Sequence, residues 1–288
     1  MVKHYFSLIK FSHTVFALPF ALIGYFLGIQ QQTAVANKWE LLVYVLLCMV
    51  STRTAAMSFN RYIDRRIDAL NPRTAVREIP SGVISPRGAL LLTIISSLVF
   101  IATTYFINKL CFFLSPVALL ITLGYSYTKR FTWLCHFILG LGLALAPVGA
   151  YMAITASISL IPILIAIIVL LWVSSFDLLY ALQDEGFDKK HQLHSVPVWL
   201  GIKSTLVVSA VLHGIVILLV CYVGYVMPGT WAYYTGAGLF SLLLIYQHLI
   251  IKPSDISKIN LAFFTLNGIA SIIFATFFII DYFYKLTF

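Results

Sequence analysis

A chain of 288 residues with 61% hydrophobic and only 10% charged side chains is too apolar for a soluble globular domain, where about 25% of residues are charged. Its net charge of +9 does not signal nucleic acid, because the basic residues sort by side of a membrane rather than gathering into one patch. Its cysteines, Cys48, Cys111, Cys135 and Cys221, form no C-x-x-C pair; they read as buried packing residues and exclude a thiolate metal site of that type.

Windows of roughly 20 apolar residues, the length that crosses a bilayer, fall near 11–30, 40–63, 87–107, 109–127, 133–152, 158–182, 203–226, 229–250 and 259–284. The first contains His13 and lacks a small-residue cleavage site, so it reads as a true first helix rather than a cleaved signal peptide. The second carries Arg53 and ends in Asn60-x-x-x-Asp64-x-x-x-Asp68. A polar stretch to about Arg87 follows, with turn formers at Asn71-Pro72 and Pro80-Ser81-Gly82. The fourth ends in the compact run Tyr125-Ser-Tyr-Thr-Lys129-Arg130-Phe-Thr132. The sixth holds Asp177 and runs into Tyr180-Ala-Leu-Gln-Asp184-Glu-Gly-Phe-Asp188. The last three carry almost no charge, and their His213, Gln247, His248 and Asn267 read as helix–helix hydrogen-bond partners. The expected fold is all-α: a polytopic membrane protein of about nine transmembrane helices in a bundle, with residues 1–288 forming a single integral-membrane domain.

With the N-terminus inside and nine alternating spans, fifteen basic residues fall on the cytoplasmic side, and only Lys38, Lys109 and Lys285 on the other. That bias sets the orientation. It also puts both acidic motifs at the cytoplasmic face, 120 residues and four spans apart when measured from Asp64 to Asp184. That spacing hints at a duplicated four-helix unit.

Of ten acidic residues, four sit in two pairs at helical spacing. Steps of four advance a helix by about 400°, so each set shares a face. Hard oxygen donors from Asn60, Asp64, Asp68, Asp184 and Asp188 suit Mg²⁺, which takes one or two carboxylates and is completed by substrate phosphate. Zn²⁺ would want His or Cys, and neither is near. Arg73, Arg77, Lys129, Arg130, Lys189 and Lys190 flank the motifs; they either clamp diphosphate oxygens or merely obey the positive-inside rule. Arg53 lies seven residues before Asn60 on the same face. An intramembrane arginine is costly, so it either binds a substrate or braces the bundle by pairing with a carboxylate such as Asp177. Glu185 points away from the Asp184/Asp188 face.

The motifs Asn60/Asp64/Asp68, Tyr125-x-x-x-Lys129-Arg130-x-Thr132 and Tyr180-Ala-x-x-Asp184-x-x-x-Asp188, in that order, resemble those of the UbiA superfamily of intramembrane prenyltransferases, over nearly the whole chain. The resemblance implies a helical bundle around a central cavity open to lipid. It implies Mg²⁺ bridging a polyprenyl diphosphate to the aspartates, and transfer of the prenyl chain to an aromatic ring in quinone biosynthesis, as for 4-hydroxybenzoate in the ubiquinone or menaquinone routes. On this pattern Asp64, Asp68, Asp184, Asp188 and Lys129 are the expected catalytic residues. Arg53, Asn60, Arg73, Arg77, Tyr125, Arg130, Asp177, Tyr180 and Lys189 are expected to bind substrate, with Arg53 facing an acceptor carboxylate. Tyr62, Tyr125, Tyr127 and Tyr180 are candidates to face an allylic cation. One departure is Tyr125-Ser126, where relatives acting on 4-hydroxybenzoate often carry Tyr-Pro. The opening Lys10-Phe-Ser-His13 to Pro19 resembles a branch linked to 1,4-dihydroxy-6-naphthoate in an alternative menaquinone route.

Two other classes compete: a transporter with a carboxylate cation path, and a non-enzymatic prenyl-lipid binding protein. The gathering of charge at span ends disfavours transport. The expected partners are the two substrates and the lipid bilayer, with no nucleic acid and no obligate protein partner. The expected location is the bacterial inner membrane, with the site toward the cytoplasm and the C-terminus outside. A topology reporter fused after Phe288 should therefore read as non-cytoplasmic, and a cytoplasmic signal would mean that the spans are miscounted.

Overall fold

The computed structural model describes residues 4, 7, 8, 16–32 and 35–287. Lys3, Lys10, His13 and Phe288 lie outside these residues. The long helices are α1 (Leu18–Gln31), α2 (Lys38–Leu70), α3 (Pro86–Ile107), α4 (Lys109–Thr128), α5 (Cys135–Thr155) and α6 (Leu160–Ala181). A 3₁₀ turn (Leu182–Asp184) and the short α7 (Glu185–Lys190) follow, then α8 (Val196–Val226), α9 (Trp231–Ile250), a π turn (Leu261–Leu266) and α10 (Asn267–Thr287). Among the described residues no β-sheet forms, only an isolated bridge between Lys252 and Asp255.

The described part of each apolar window is largely helical. Seven described helices are long and apolar enough to cross a membrane: α2, α3, α4, α5, α6 with its extension to Lys190, α8, and α10 with its π turn. This is an integral, multi-pass membrane protein. The window near 11–30 yields a described helix of only 14 residues, shorter than a full span. The window near 229–250 yields 20 residues in α9, diluted by tyrosines, Gln247 and His248.

Neighbours in sequence are mostly neighbours in space, and α1 packs on both α5 and α10. Helices in lipid gain little from hydrophobicity alone and approach closely where side chains are small. Gly24 and Gly28 of α1 supply that surface. A Cβ on Gly24 would strike the Pro147 backbone of α5, and one on Gly28 would strike Ile154. The main core joins Phe20, Trp172, Phe240 and Phe274 from α1, α6, α9 and α10. Trp172 Nε1 donates to Asn267 Oδ1 at 2.9 Å, and Gln247 Nε2 donates to the same oxygen at 2.9 Å. His213 and His248 pair at 2.8 Å between α8 and α9. These are the interhelical roles expected of those four polar residues. The expectation of buried cysteines fails in part: Cys111 is buried, but Cys221 is exposed on α8. The outer face of a membrane helix is as apolar as its core, so an apolar setting does not imply burial.

Close approach at α1 carries a measurable cost. Gly24→Ala should destabilise the detergent-solubilised protein by roughly 1–3 kcal/mol through overpacking against rigid backbone. Gly149→Ala, where the added Cβ meets nothing within 4 Å, should leave the melting temperature unchanged.

Candidate active site

Helix α2 runs 33 residues without a break, so its four-residue spacing survives in three dimensions. Asn60, Asp64 and Asp68 line one cavity of about 300 Å³ together with Arg53. That volume is at the lower end of ligand pockets, about 300–1,000 Å³. Asp64 and Asp68 are only 2% and 3% exposed, so charge on them must be met by partners.

Three cations meet those charges, and a fourth, Arg73, meets Asp184. Lys129 Nζ lies 2.5 Å from Asp64 Oδ2 and Arg130 2.8 Å from Asp64 Oδ1. Arg130 also donates to the Ser126 and Ile63 carbonyls, tying the end of α4 to α2. Arg77 donates to Asp68 Oδ1 at 2.7 Å, which leaves Asp68 Oδ2 buried without a partner. Arg73, in the turn after α2, holds both oxygens of Asp184 and donates to the Tyr180 hydroxyl at 2.8 Å. Asn71 Nδ2 adds a bond to Asp184 at 3.0 Å. Burial alone would lower the Arg73 pKa, but the bonds to Asp184 and Tyr180 outweigh it and hold it above the ordinary value.

The second motif departs from the regular helix that its spacing predicts. Helix α6 stops at Ala181, and a 3₁₀ turn separates Asp184 from α7, which carries Asp188. The tighter turn buries Leu182 against Ile251 and Ile259 while Asp184 faces Arg73. Asp184 and Asp188 still line the cavity. Lys189 and Lys190 do not; both are exposed on α7. Arg53 does not brace the bundle through Asp177. Its Nε is buried without a partner, and Asp177 pairs with His136 at 2.7 Å instead. Of the four tyrosines, Tyr125 and Tyr180 line the cavity. Tyr62 stacks under Arg65, and Tyr127 packs on Phe59 with 44% exposure; both turn away because they are offset from the Asn60/Asp64 and Tyr125/Lys129 faces.

Arg61 and His136 also line the cavity, with no site role in the sequence-based expectation. Arg61 reads as a cytoplasmic charge but is buried, with its Nε unpartnered; its spacing of three and seven to Asp64 and Asp68 was the available signal. His136, a lone histidine at the start of α5, offered none.

A second cavity of about 360 Å³, lined almost wholly by apolar side chains of α2 to α5, adjoins the first. Arg53, Met57, Tyr125, Leu139 and Leu143 line both.

The donor set suits a hard cation. Among the described residues no three His, Cys, Asp or Glu side chains converge on one point. The partnerless oxygen of Asp68 is a carboxylate donor already free of any cation.

Residues 17–269 match the model of the UbiA prenyltransferase family. The chain is 30% identical over 235 residues to a 4-hydroxybenzoate octaprenyltransferase of Serratia proteamaculans (strain 568), spanning 82% of this chain and 81% of that one. It is 28% identical over 239 residues to a protein of the same description in Aliivibrio fischeri (strain ATCC 700601 / ES114), spanning 82% of each. The apo structure of a UbiA homolog from Aeropyrum pernix K1 aligns with a TM-score of 0.83 at 30% identity, over 93% of this chain and 98% of that one. A UbiA homolog from Archaeoglobus fulgidus, bound to GPP and Mg²⁺, shares the fold with a TM-score of 0.71 at 24% identity, over 96% and 99% of the two chains.

The Asp68 geometry has a direct consequence. Mn²⁺, followed by electron paramagnetic resonance as a stand-in for Mg²⁺, should bind the purified protein once inorganic diphosphate is added. Asp68→Asn should weaken that binding by at least the roughly 10–100-fold that loss of an outer partner costs a metal site.

Proposed function

Because the chain belongs to the UbiA prenyltransferase family, we propose that it transfers a polyprenyl chain from its diphosphate to a hydroxy-aromatic carboxylic acid, 4-hydroxybenzoate or a close analogue, with Mg²⁺. The observation that carries this reading is the junction of the two cavities. One is charged, the other apolar, and five side chains are common to both. A prenyl diphosphate has the same division, with a highly charged head on a long hydrocarbon chain. The head suits the cavity lined by Arg73, Arg77 and Lys129, with Arg130 also bonded to Asp64, and the chain suits the apolar one. The first carbon of the chain then lies near the junction, beside Tyr125.

Asn60, Asp64, Asp68, Asp184 and Asp188 are the proposed metal ligands. Bound there, Mg²⁺ would neutralise charge on the departing diphosphate. The protein's own cations do the rest of that work. Lys129 and Arg130 rest on Asp64, and Arg73 on Asp184. They are held within reach of incoming diphosphate oxygens, with most of their charge offset by those carboxylates while none is present. The planar guanidinium groups can bind those oxygens through paired hydrogen bonds. As charge grows on the leaving oxygens these contacts strengthen, which is the requirement for catalysis rather than mere binding. The faces of Tyr125 and Tyr180 can stabilise a cation-like allylic carbon, and the apolar walls keep water from it.

Arg53 supports the choice of an acid acceptor. Its guanidinium has an unpaired, buried Nε and reaches no carboxylate of the protein among the described residues. A carboxylate on the aromatic ring would meet it. The dihydroxynaphthoate alternative carries the same group, so Arg53 serves either acceptor. A cation transporter fits less well, because Asp64, Asp68 and Asp184 already hold basic side chains.

Mass spectrometry of products from purified protein, Mg²⁺, mixed prenyl diphosphates and candidate aromatic acids tests the reaction. Single Asp→Asn changes at 64, 68, 184 and 188 should each abolish turnover; near-normal rates in any two would remove the metal site. Arg53→Leu should raise KM for the aromatic acid about 10–100-fold, the worth of a hydrogen bond to a charged group, roughly 1.5–3 kcal/mol, with little change for the prenyl diphosphate. Lys129→Met should do the reverse. It should also fold, since Arg130 remains on Asp64. Equal losses for both substrates would rule out an acceptor role for Arg53.

A further inference from the structure

The cavity holds a carboxylate that neither the metal nor the diphosphate accounts for. Asp177 lies on α6, seven residues before Asp184, about 10 Å deeper along the helix direction. Its side chain is 20% exposed, and it lines the cavity among Val173, Phe176 and Leu139. Unlike Asp64, Asp68 and Asp184, it carries no Lys or Arg among the described residues. Its partner is His136 of α5, whose side chain is only 5% exposed and whose Nδ1 lies 2.7 Å from Asp177 Oδ2.

The other ring nitrogen fixes the tautomer. The backbone N–H of Val196, at the start of α8, points at His136 Nε2 at 3.4 Å. A backbone N–H only donates, so Nε2 is the acceptor and the ring proton sits on Nδ1. His136 thus presents its Nδ1–H to Asp177 and is clamped between α5, α6 and α8. Oδ2 is fixed by that bond, and Oδ1 is left with no hydrogen-bond partner among the described residues. With Oδ2 held by one imidazole and Oδ1 open, the carboxylate can take a proton from a hydroxyl brought against it. The arrangement of base and orienting partner is the one general acid–base sites require.

We propose that Asp177 Oδ1 is the proton acceptor for the hydroxyl of the aromatic acid, with His136 as its positioning residue. This inference rests on the aromatic acceptor proposed above. As the ring carbon next to the hydroxyl-bearing one bonds to the allylic carbon, the hydroxyl O–H breaks and its proton passes to Asp177. The allylic C–O bond breaks, and the diphosphate leaves with that electron pair. The ring is then a cyclic dienone. It loses the proton of the alkylated carbon to the released diphosphate, and the ring oxygen recovers its proton from Asp177. Asp177 ends as it began, and the net product besides prenylated acid is protonated diphosphate. Arg53 in the same cavity holds the carboxylate end of the acceptor, so the hydroxyl and the acid group are read by different helices, α6 and α2.

A series of acceptors with progressively more acidic hydroxyls, made by ring fluorination, tests this. For each acceptor the rate of the variant is compared with that of the unaltered protein, which cancels the effect of fluorine on the ring itself. Asp177→Asn should lower kcat at least 100-fold on the parent acid with modest change in either KM, and the deficit should shrink steadily as the hydroxyl grows more acidic. His136→Leu should show the same trend with a smaller deficit. His136→Asn, whose side-chain amide can donate from the place of Nδ1, should recover much of the rate. A deficit independent of hydroxyl acidity would overturn the proposal, as would equal behaviour of His136→Leu and His136→Asn, because a purely structural role predicts both. If the unaltered protein prenylates none of the acids, the proposed function falls and this inference with it. Transfer by the unaltered protein with a flat variant series would remove only the Asp177 role.

Discussion

Charge placed inside a membrane bundle must be answered from within the protein. At the mouth of this site, Asp64 and Asp68 are almost wholly enclosed, and breaking a buried ion pair costs about 3–5 kcal/mol. Their partners come from separate parts of the chain: Lys129 and Arg130 from the end of α4, Arg77 from the turn after α2. Arg73 in the same turn reaches across to Asp184 beyond α6. Three helices and a long turn are thereby fixed to one another by the groups proposed to hold the metal and the diphosphate. The requirement to neutralise carboxylates and the requirement to assemble a site are met by the same contacts.

That arrangement also explains why the interior divides in two. Ion pairs close the mouth, while the depth between α2 and α5 has few polar atoms beyond Thr, Ser and Arg53. Arg53 stands where the two meet. Its stem packs among apolar residues, as arginine stems readily do, and its head keeps an unsatisfied donor. An orphaned donor in a low-dielectric place is destabilising by about 1–3 kcal/mol. On the reading proposed above, the carboxylate of the aromatic acid would recover that cost on binding. Asp177 is the complementary case: a carboxylate at depth, steadied by an imidazole rather than by a lysine or arginine.

The scaffold holds these groups by close helix packing. Gly24 and Gly28 let α1 lie directly on α5, the helix that carries His136. The buried bonds among Trp172, Gln247 and Asn267 join α6, α9 and α10 on the side away from the charges. The lower end of α6 is therefore held from both sides, and the chain can leave regular helix there without losing register. The 3₁₀ turn at Leu182–Asp184 is where it does so, presenting Asp184 to Arg73.

Much of this was legible in the amino-acid sequence. Apolar windows of bilayer length mark helices because a backbone in lipid must satisfy its own hydrogen bonds. Asn60, Asp64 and Asp68 share a face because α2 is regular, and period alone then decides direction. What the sequence could not decide was pairing across distance. The ion pairs of Lys129 with Asp64 and Arg73 with Asp184 join residues 65 and 111 apart, and no local spacing encodes them. Arg61 reads as one more cytoplasmic charge until the packing of α2 buries it. His136 has no significance until α5 sets it against Asp177 and the start of α8 supplies the N–H that fixes its tautomer. Local period is a property of one helix and can be read along it; the partner of a buried charge is a property of how helices meet, and only the tertiary structure decides it.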